Sequence, residues 1–249
     1  MATFVLVSGA WLGGWSWQGV APALRAAGHT VYTPTLTGLG ERVHLARPEV
    51  DLDTHIEDVA NLLRFENLRD VVLLGHSYAG MVVTGVADRM PERVAEVVYL
   101  DSGPTASGTA CLDNQPPENQ EYARKAVAER GGGWRLPVFS WDEIATVNGA
   151  SIEGMDQATL DLVSKRATPQ PFATYTQPLT LSNPARDALP KRLIACSFPL
   201  EQVQQLIASG HPWFTEMAGP EWQFSELPTG HWPMFSKPRE LAELLGSLA

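Results

Sequence analysis

Over the first hundred residues, short apolar runs alternate with segments of helical periodicity, and this alternation limits the fold more than any other feature. Phe4–Val7 (FVLV) ends at Ser8-Gly9, and Thr30–Pro34 (TVYTP) follows a stop at Gly28. Val71–Leu74 (VVLL) is continuously apolar, as expected of a strand buried on both faces, and Val94–Leu100 (VAEVVYL) is the next strand-like run. Between them, Trp17–Ala27, Thr54–Phe65 and Met81–Met90 read as helices. In Thr54–Phe65 the apolar positions Ile56, Val59, Leu62 and Leu63 recur at helical spacing, and Asp53 or Thr54 is the expected N-cap. Strand and helix in turn are the pattern of βαβ units and a parallel sheet.

The pattern breaks at Pro104. From there to Leu189 no clear strand is legible. The stretch holds Pro116-Pro117, the triple glycine Gly131–Gly133 and scattered aromatics, with helices expected over Glu118–Arg130 and Met155–Ala167. The alternation then resumes: Arg192–Cys196 and Trp222–Leu227 read as strands, Glu201–Ala208 and Pro238–Leu248 as helices. The simplest account is an α/β core made of residues 1–103 and 190–249, with residues 104–189 inserted as a helical cap. Such an insertion would stand over the carboxyl ends of the strands, where ligands bind in open α/β sheets.

Composition removes several classes of function. The net charge of −10 repels phosphate backbones and anionic lipid, so neither nucleic acid nor a membrane surface is an expected partner. No uncharged apolar run approaches the ~20 residues of a membrane span. The N-terminal MATFVLVSGAW has no basic region and no long apolar region, so it does not read as a signal peptide. Cys111 and Cys196 are the only cysteines, too few for a disulfide framework or a metal cluster. The expectation is a cytoplasmic protein with both thiols reduced. The oligomeric state stays open, a homodimer included.

The strongest local signal is Gly75-His76-Ser77-Tyr78-Ala79-Gly80, which directly follows a predicted strand and opens a predicted helix. This is the context of a nucleophile elbow, where a tight turn demands small residues and aims the serine hydroxyl away from the sheet. Ala79 stands where the motif has its final glycine. A serine needs a positioned base. His231, in Pro228-Thr229-Gly230-His231 between the last strand and the last helix, is the candidate. His44 and His211 are weaker ones, and His76 is expected to make a structural hydrogen bond.

The acid that orients the histidine is less legible. The loop after Arg192–Cys196 reads Ser197-Phe198-Pro199-Leu200-Glu201 and contains no aspartate. Glu201 there reads as a first-turn acid facing the helix dipole. Asp101, at the end of the strand after the elbow helix, is favoured over Glu201, and a dyad without a carboxylate remains open. For the oxyanion the expected donors are the N–H of Tyr78, next after the nucleophile, and that of Ala10 in the loop after the first strand. Gly9, Gly13 and Gly14 do not form a dinucleotide-binding G-x-G-x-x-G.

Together these residues resemble the α/β-hydrolase superfamily, and most nearly its branch of plant methylesterases, hydroxynitrile lyases and bacterial esterases. The likeness is carried by Phe4–Trp17 (FVLVSGAWLGGWSW), Thr33–Leu45 (TPTLTGLGERVHL), Leu52–Asp58 (LDTHIED), Val71–Gly80 (VVLLGHSYAG) and Thr229–Met234 (TGHWPM). The resemblance implies an eight-stranded, mostly parallel sheet flanked by helices, a helical cap, and no metal or organic cofactor. Two departures stand out. Ser8 replaces a histidine usual before the first-loop glycine, and the usual acid after the penultimate strand is missing.

The expected function is therefore serine hydrolysis of a small, largely apolar or aromatic carboxylic ester through an acyl-enzyme on Ser77. A carbamate, lactone or amide fits the same machinery. Trp11, Trp134, Trp141 and Trp232 are candidate substrate contacts, although core packing is the competing reading of any one of them. A hydroxynitrile lyase would want a threonine in the first loop and a lysine after the histidine, where Gly9 and Trp232 stand. A small-molecule receptor that has lost turnover is the third alternative, and fold alone does not decide among them.

Overall fold

The computed structural model describes residues 1–210 and 214–248. Eight strands occur among them: β1 Thr3–Val7, β2 Thr30–Tyr32, β3 Val71–His76, β4 Val94–Leu100, β5 Arg135–Leu136, β6 Gln170–Pro171, β7 Lys191–Ala195 and β8 Trp222–Glu226. Six of these form one parallel sheet in the order β2-β1-β3-β4-β7-β8. They coincide with the six apolar runs of the core sequence. The eight-stranded sheet implied by resemblance is thus corrected to six, because the core offers no further apolar runs. The other two strands make a separate antiparallel ladder of two residue pairs between β4 and β7, Arg135 with Pro171 and Leu136 with Gln170.

Strand alternation sorts the core into two layers. Phe4, Leu6, Val98, Leu100 and Ile194 pack with Leu24 of helix Ala21–Ala26 and with Leu241 and Leu245 of helix Pro238–Gly246. Val5, Val7, Leu73, Val97 and Leu193 pack with helices Leu52–Phe65, Ala79–Arg89 and Leu200–Ala208. Helices on both faces explain why Val71–Leu74 is apolar throughout. They also hold the sheet rigid beneath the strand ends.

Several helix starts differ from the sequence reading by a residue or two, and two of the differences have a clear local cause. Trp17–Ala27 is not one helix: a 3₁₀ turn covers Gly14–Trp17 and the α-helix begins at Ala21. Pro22 in its first turn lacks the N–H and fills the space that a continuous helix would need. The cap of Leu52–Phe65 is Asp51, not Asp53 or Thr54. Its side chain accepts from the Thr54 N–H at 2.9 Å, and Thr54 returns the contact as the third residue of a capping box.

Between β4 and β7 the chain forms helices Pro117–Arg130 and Gln157–Arg166, shorter turns and the β5–β6 ladder. The segment ties itself to the loops that follow β1 and β8. Thr168 N–H donates to the Trp11 carbonyl, and the N–H groups of Gly230 and His231 donate to the carbonyls of Glu153 and Ser151. No helix among the described residues is long and apolar enough to cross a membrane.

Candidate active site

Ser77 sits at the turn from β3 to helix Ala79–Arg89 with φ +52°, a left-handed conformation unusual for serine. The turn closes because Gly75 has no side chain: a Cβ there would lie 2.4 Å from the Ala79 carbonyl oxygen. Ala79 is itself fully buried, so the departure from the usual glycine is accommodated. The backbone at Ser77 is pinned on both sides. Its N–H donates to the Leu100 carbonyl at 3.2 Å, and its carbonyl accepts from Ser102 Oγ at 2.6 Å.

His231 Nε2 lies 2.9 Å from Ser77 Oγ, and His231 Nδ1 lies 2.6 Å from Asp101 Oδ2. A carboxylate can only accept here. The hydrogen therefore sits on Nδ1, leaving Nε2 free to accept the serine proton. Asp101 is buried at the end of β4 and fully enclosed by donors. Its Oδ1 accepts the N–H groups of Cys196 and Ser197 at 3.0 and 2.9 Å, and its Oδ2 accepts Ser197 Oγ–H at 2.6 Å. Burial pushes the carboxyl up, but the hydrogen bonds from His231 and Ser197 outweigh it and hold the group at about 2.

The alternative acid, Glu201, lies on the surface of a helix. It is exposed in the first turn of helix Leu200–Ala208, where its Oε1 accepts from Gln205 Nε2 at 3.3 Å. Sequence reading missed Ser197, which stands in the loop after β7 and donates to the carboxylate from β4. The missing aspartate in that loop was the only sign that something else had to face Asp101. His44 is exposed, and His211 lies outside the described residues.

The first loop runs against the elbow. A Cβ on Gly9 would come 2.7 Å from His76 Nδ1 and 3.0 Å from Ser77 Cβ, so only glycine permits this approach. Among the described residues the backbone N–H groups of Ala10 and Tyr78 have no hydrogen-bond partner, and both residues line the cavity in front of Ser77. Ser8, in place of the usual histidine, turns inward: its Oγ donates to the Gly13 carbonyl and lies 2.9 Å from Ser16 Oγ. Among the described residues, three of the five non-glycine residues with positive φ, namely Trp11, Ser77 and Asp101, belong to this one site. Such strain persists only where the surroundings enforce it.

Two buried histidines support the site from behind. His76 Nε2 donates to the His231 carbonyl at 2.7 Å and so fixes the loop carrying His231. His55 Nε2 donates to the Thr37 carbonyl, and its Nδ1 accepts the Tyr78 hydroxyl, each at 2.9 Å. Burial lowers His55 to about 4; burial, and then the neighbouring His231, lower His76 to about 3. Both folded values lie below the ordinary 6.5, so acid favours the unfolded chain. The stabilisation is complete above pH 6.5 and is lost as pH falls toward 4 and 3, at up to about 1.4 kcal/mol per pH unit for each histidine. Urea midpoints should therefore drop between pH 7 and pH 5, and His55→Gln should flatten that slope by about half. A midpoint independent of pH in this window would refute the neutral assignment.

The cavity above Ser77 measures about 710 Å³. Of the four tryptophans considered as substrate contacts, Trp11 and Trp232 line it, and Trp134 and Trp141 do not. Trp134 lies under the Arg135 guanidinium at 4.7 Å. Trp141 donates to the Leu160 carbonyl and Ser164 Oγ and meets Trp232 edge-on at 5.3 Å, so it braces a wall residue from behind. The apolar wall comes instead from Met81, Leu136, Phe139, Ile144, Tyr175 and Met217. These are scattered over the core and the 104–189 segment, with no shared sequence signal. Thr105, Asn114, Gln115 and Asn119 make one region of the lining polar. No lysine or arginine lines the cavity among the described residues, and no cluster of three histidine, cysteine or acidic side chains there could hold a metal ion.

A parallel six-stranded sheet with a serine at the β3 turn, a histidine after β8 and a cavity over the strand ends defines a class. The chain belongs to the alpha/beta hydrolase family, whose model matches residues 4–244. Among its relatives, the carbendazim hydrolyzing esterase of Nocardioides sp. (strain SG-4G) is 37% identical over 251 residues, covering 100% of both chains. The pyrethroid hydrolase of Sphingobium wenxiniae is 28% identical over 254 residues, 98% of this chain and 86% of that one. Among solved structures, an extracellular alpha/beta-hydrolase from a Paenibacillus species, described as sharing structural and functional homology with tobacco salicylic acid binding protein 2, superposes with a TM-score of 0.80. It is 26% identical and covers 99% of this chain and 98% of its own.

Proposed function

We propose that this chain is a serine hydrolase of small, largely apolar or aromatic carboxylic esters, with Ser77 as nucleophile, His231 as base and Asp101 as the acid that orients it. The reading is carried by one observation: an unbroken line of hydrogen bonds from Ser77 Oγ through His231 to a fully bonded, buried Asp101. Ser77 Oγ attacks the ester carbonyl as its proton passes to His231 Nε2. The N–H groups of Ala10 and Tyr78 receive the oxyanion. His231 gives the proton to the leaving alcohol, then takes one from water, which cleaves the acyl-enzyme and restores Ser77.

An esterase at 37% identity over the whole chain supports ester cleavage, and its name brings carbamates into the range of substrates, since carbendazim is one. A carbamate presents the same attackable carbonyl. The absence of a cation from the lining counts against a hydroxynitrile lyase, whose leaving cyanide needs one. Residues 104–189 act as the cap that shapes the substrate cavity. The two free cysteines accord with a cytoplasmic setting.

A panel of aryl esters, aryl methyl carbamates and matched anilides tests the reading. Alcohol release should be observed from the esters and carbamates. An acyl adduct should appear on the Ser77 peptide by mass spectrometry when a slow carbamate is used. Turnover without an adduct on that peptide would overturn the assignment.

A further inference from the structure

The loop that carries Ala10 holds an unfavourable turn. Gly9 to Leu12 closes through Leu12 N–H on the Gly9 carbonyl, and the third residue of the turn, Trp11, has φ +63°. This is the type II pattern, which wants glycine or asparagine at that position. A tryptophan there favours the alternative turn, in which the central Ala10–Trp11 peptide is reversed. Reversal would reorient the Ala10 carbonyl next to the oxyanion donor and swing the Trp11 ring, which lines the cavity.

Two contacts oppose the reversal, and both come from β6 and the residues just before it. Gln170 Oε1 accepts the Trp11 N–H at 3.1 Å, and the Thr168 N–H donates to the Trp11 carbonyl at 3.0 Å. Gln170 is wholly buried. Its Nε2 donates to Thr174 Oγ1 at 2.8 Å, and that hydroxyl donates to the Pro171 carbonyl at 2.7 Å, which fixes the amide's orientation. Thr168 is anchored in turn, its Oγ1 accepting the Gly40 N–H at 2.9 Å. The β5–β6 ladder pairs Gln170 with Leu136, a residue of the cavity wall.

We infer that Gln170 is a positioning residue: with the Thr168 main chain it clamps the Gly9–Leu12 turn so that the Ala10–Trp11 peptide cannot reverse beside the Ala10 N–H that receives the oxyanion. The inference rests on the hydrolase reading above. It makes the oxyanion donor dependent on the segment that also shapes the substrate cavity.

The test compares Gln170→Met, which keeps volume but removes the acceptor, with Gln170→Glu, which keeps an acceptor oxygen facing Trp11. On an aryl ester turned over by the wild type, Gln170→Met should lower kcat by about 10²-fold with little change in KM, since small misplacements of this kind cost that much. Affinity for an aryl boronic acid, which forms a tetrahedral adduct on Ser77, should fall in parallel. Gln170→Glu should recover most of both. If Gln170→Met does not fold, Gln170→Asn, one methylene too short to reach, takes its place. Hydrogen exchange of the peptide spanning residues 8–12, which needs no activity, should quicken in Gln170→Met. Unchanged kcat, boronate affinity and exchange would overturn the clamp. Loss of wild-type turnover on the whole ester panel would instead count against the hydrolase reading, and the exchange result would still decide whether the turn is clamped.

Discussion

Ser77→Ala is expected to lower kcat on an aryl ester by a factor on the order of 10⁶, because the alternative is attack by water without a nucleophile held against the base. Substrate affinity should hardly change, since the cavity wall is untouched. Among the described residues the hydroxyl has one hydrogen-bond partner, His231 Nε2; that nitrogen is part-exposed and lines the cavity, so losing the bond strands no fully buried group and folding stability should stay near wild type. Steady-state rates, isothermal binding of a non-hydrolysable amide analogue and a thermal melt together check this. Retained turnover in a folded variant would remove Ser77 from the mechanism. Equal losses in rate and in stability would mean that the effect is structural.

Asp101→Asn carries the second largest expected effect, a fall in kcat of about 10⁴-fold. The direction follows from the donors around the carboxylate. The Cys196 and Ser197 N–H groups require an acceptor at the Oδ1 position, so the asparagine oxygen must stay there. Its NH₂ group then faces His231 Nδ1, which has to become an acceptor. The imidazole hydrogen moves to Nε2, and the base can no longer take the serine proton. Glu201→Gln should leave kcat/KM essentially unchanged, because Glu201 is exposed and, among the described residues, bonded only within its own helix. A pH–rate profile separates the two variants. The low-pH limb should be distorted in Asp101→Asn and preserved in Glu201→Gln. The opposite pattern would transfer the orienting role to Glu201.

The pH dependence of stability and the Gln170 clamp follow the same logic from different atoms. In each case a buried polar group has one set of partners that satisfies it, and a change in protonation or side chain leaves one of those partners unmet. The site is therefore stiff as well as strained. The left-handed backbones of Trp11, Ser77 and Asp101 are each held by hydrogen bonds from a neighbouring element.

Features whose cause lies within a few consecutive residues were legible in the sequence. Six apolar runs gave the six core strands. Glycine at position 75 and a small residue at position 79 marked the strand-to-helix turn at Ser77, and His231 was marked by its place between the last strand and the last helix. The N-cap was misread by two or three residues because Asp51, Asp53 and Thr54 all carry capping side chains, and only backbone geometry separates them. The choice of Asp101 over Glu201 was not settled locally either, because each acid follows a strand and has an ordinary explanation there. Sheet order sets the two acids apart. β4 and β7 are neighbours, so the loop after β7 turns three donors onto Asp101, while Glu201 has already entered its helix and faces water. The cavity wall was beyond sequence for the same reason. Trp134 and Trp141 look like Trp11 and Trp232 in the chain, and only packing of the 104–189 segment over the strand ends turns one pair inward and the other away. Sequence by itself thus determined the strands, the tight turn at Ser77 and the place of His231 after the last strand, which depend on local backbone and periodicity. Tertiary structure alone decided the partners of Asp101, the contacts that Gln170 makes to the loop after β1 and the shape of the pocket, which depend on contacts between residues about a hundred or more positions apart.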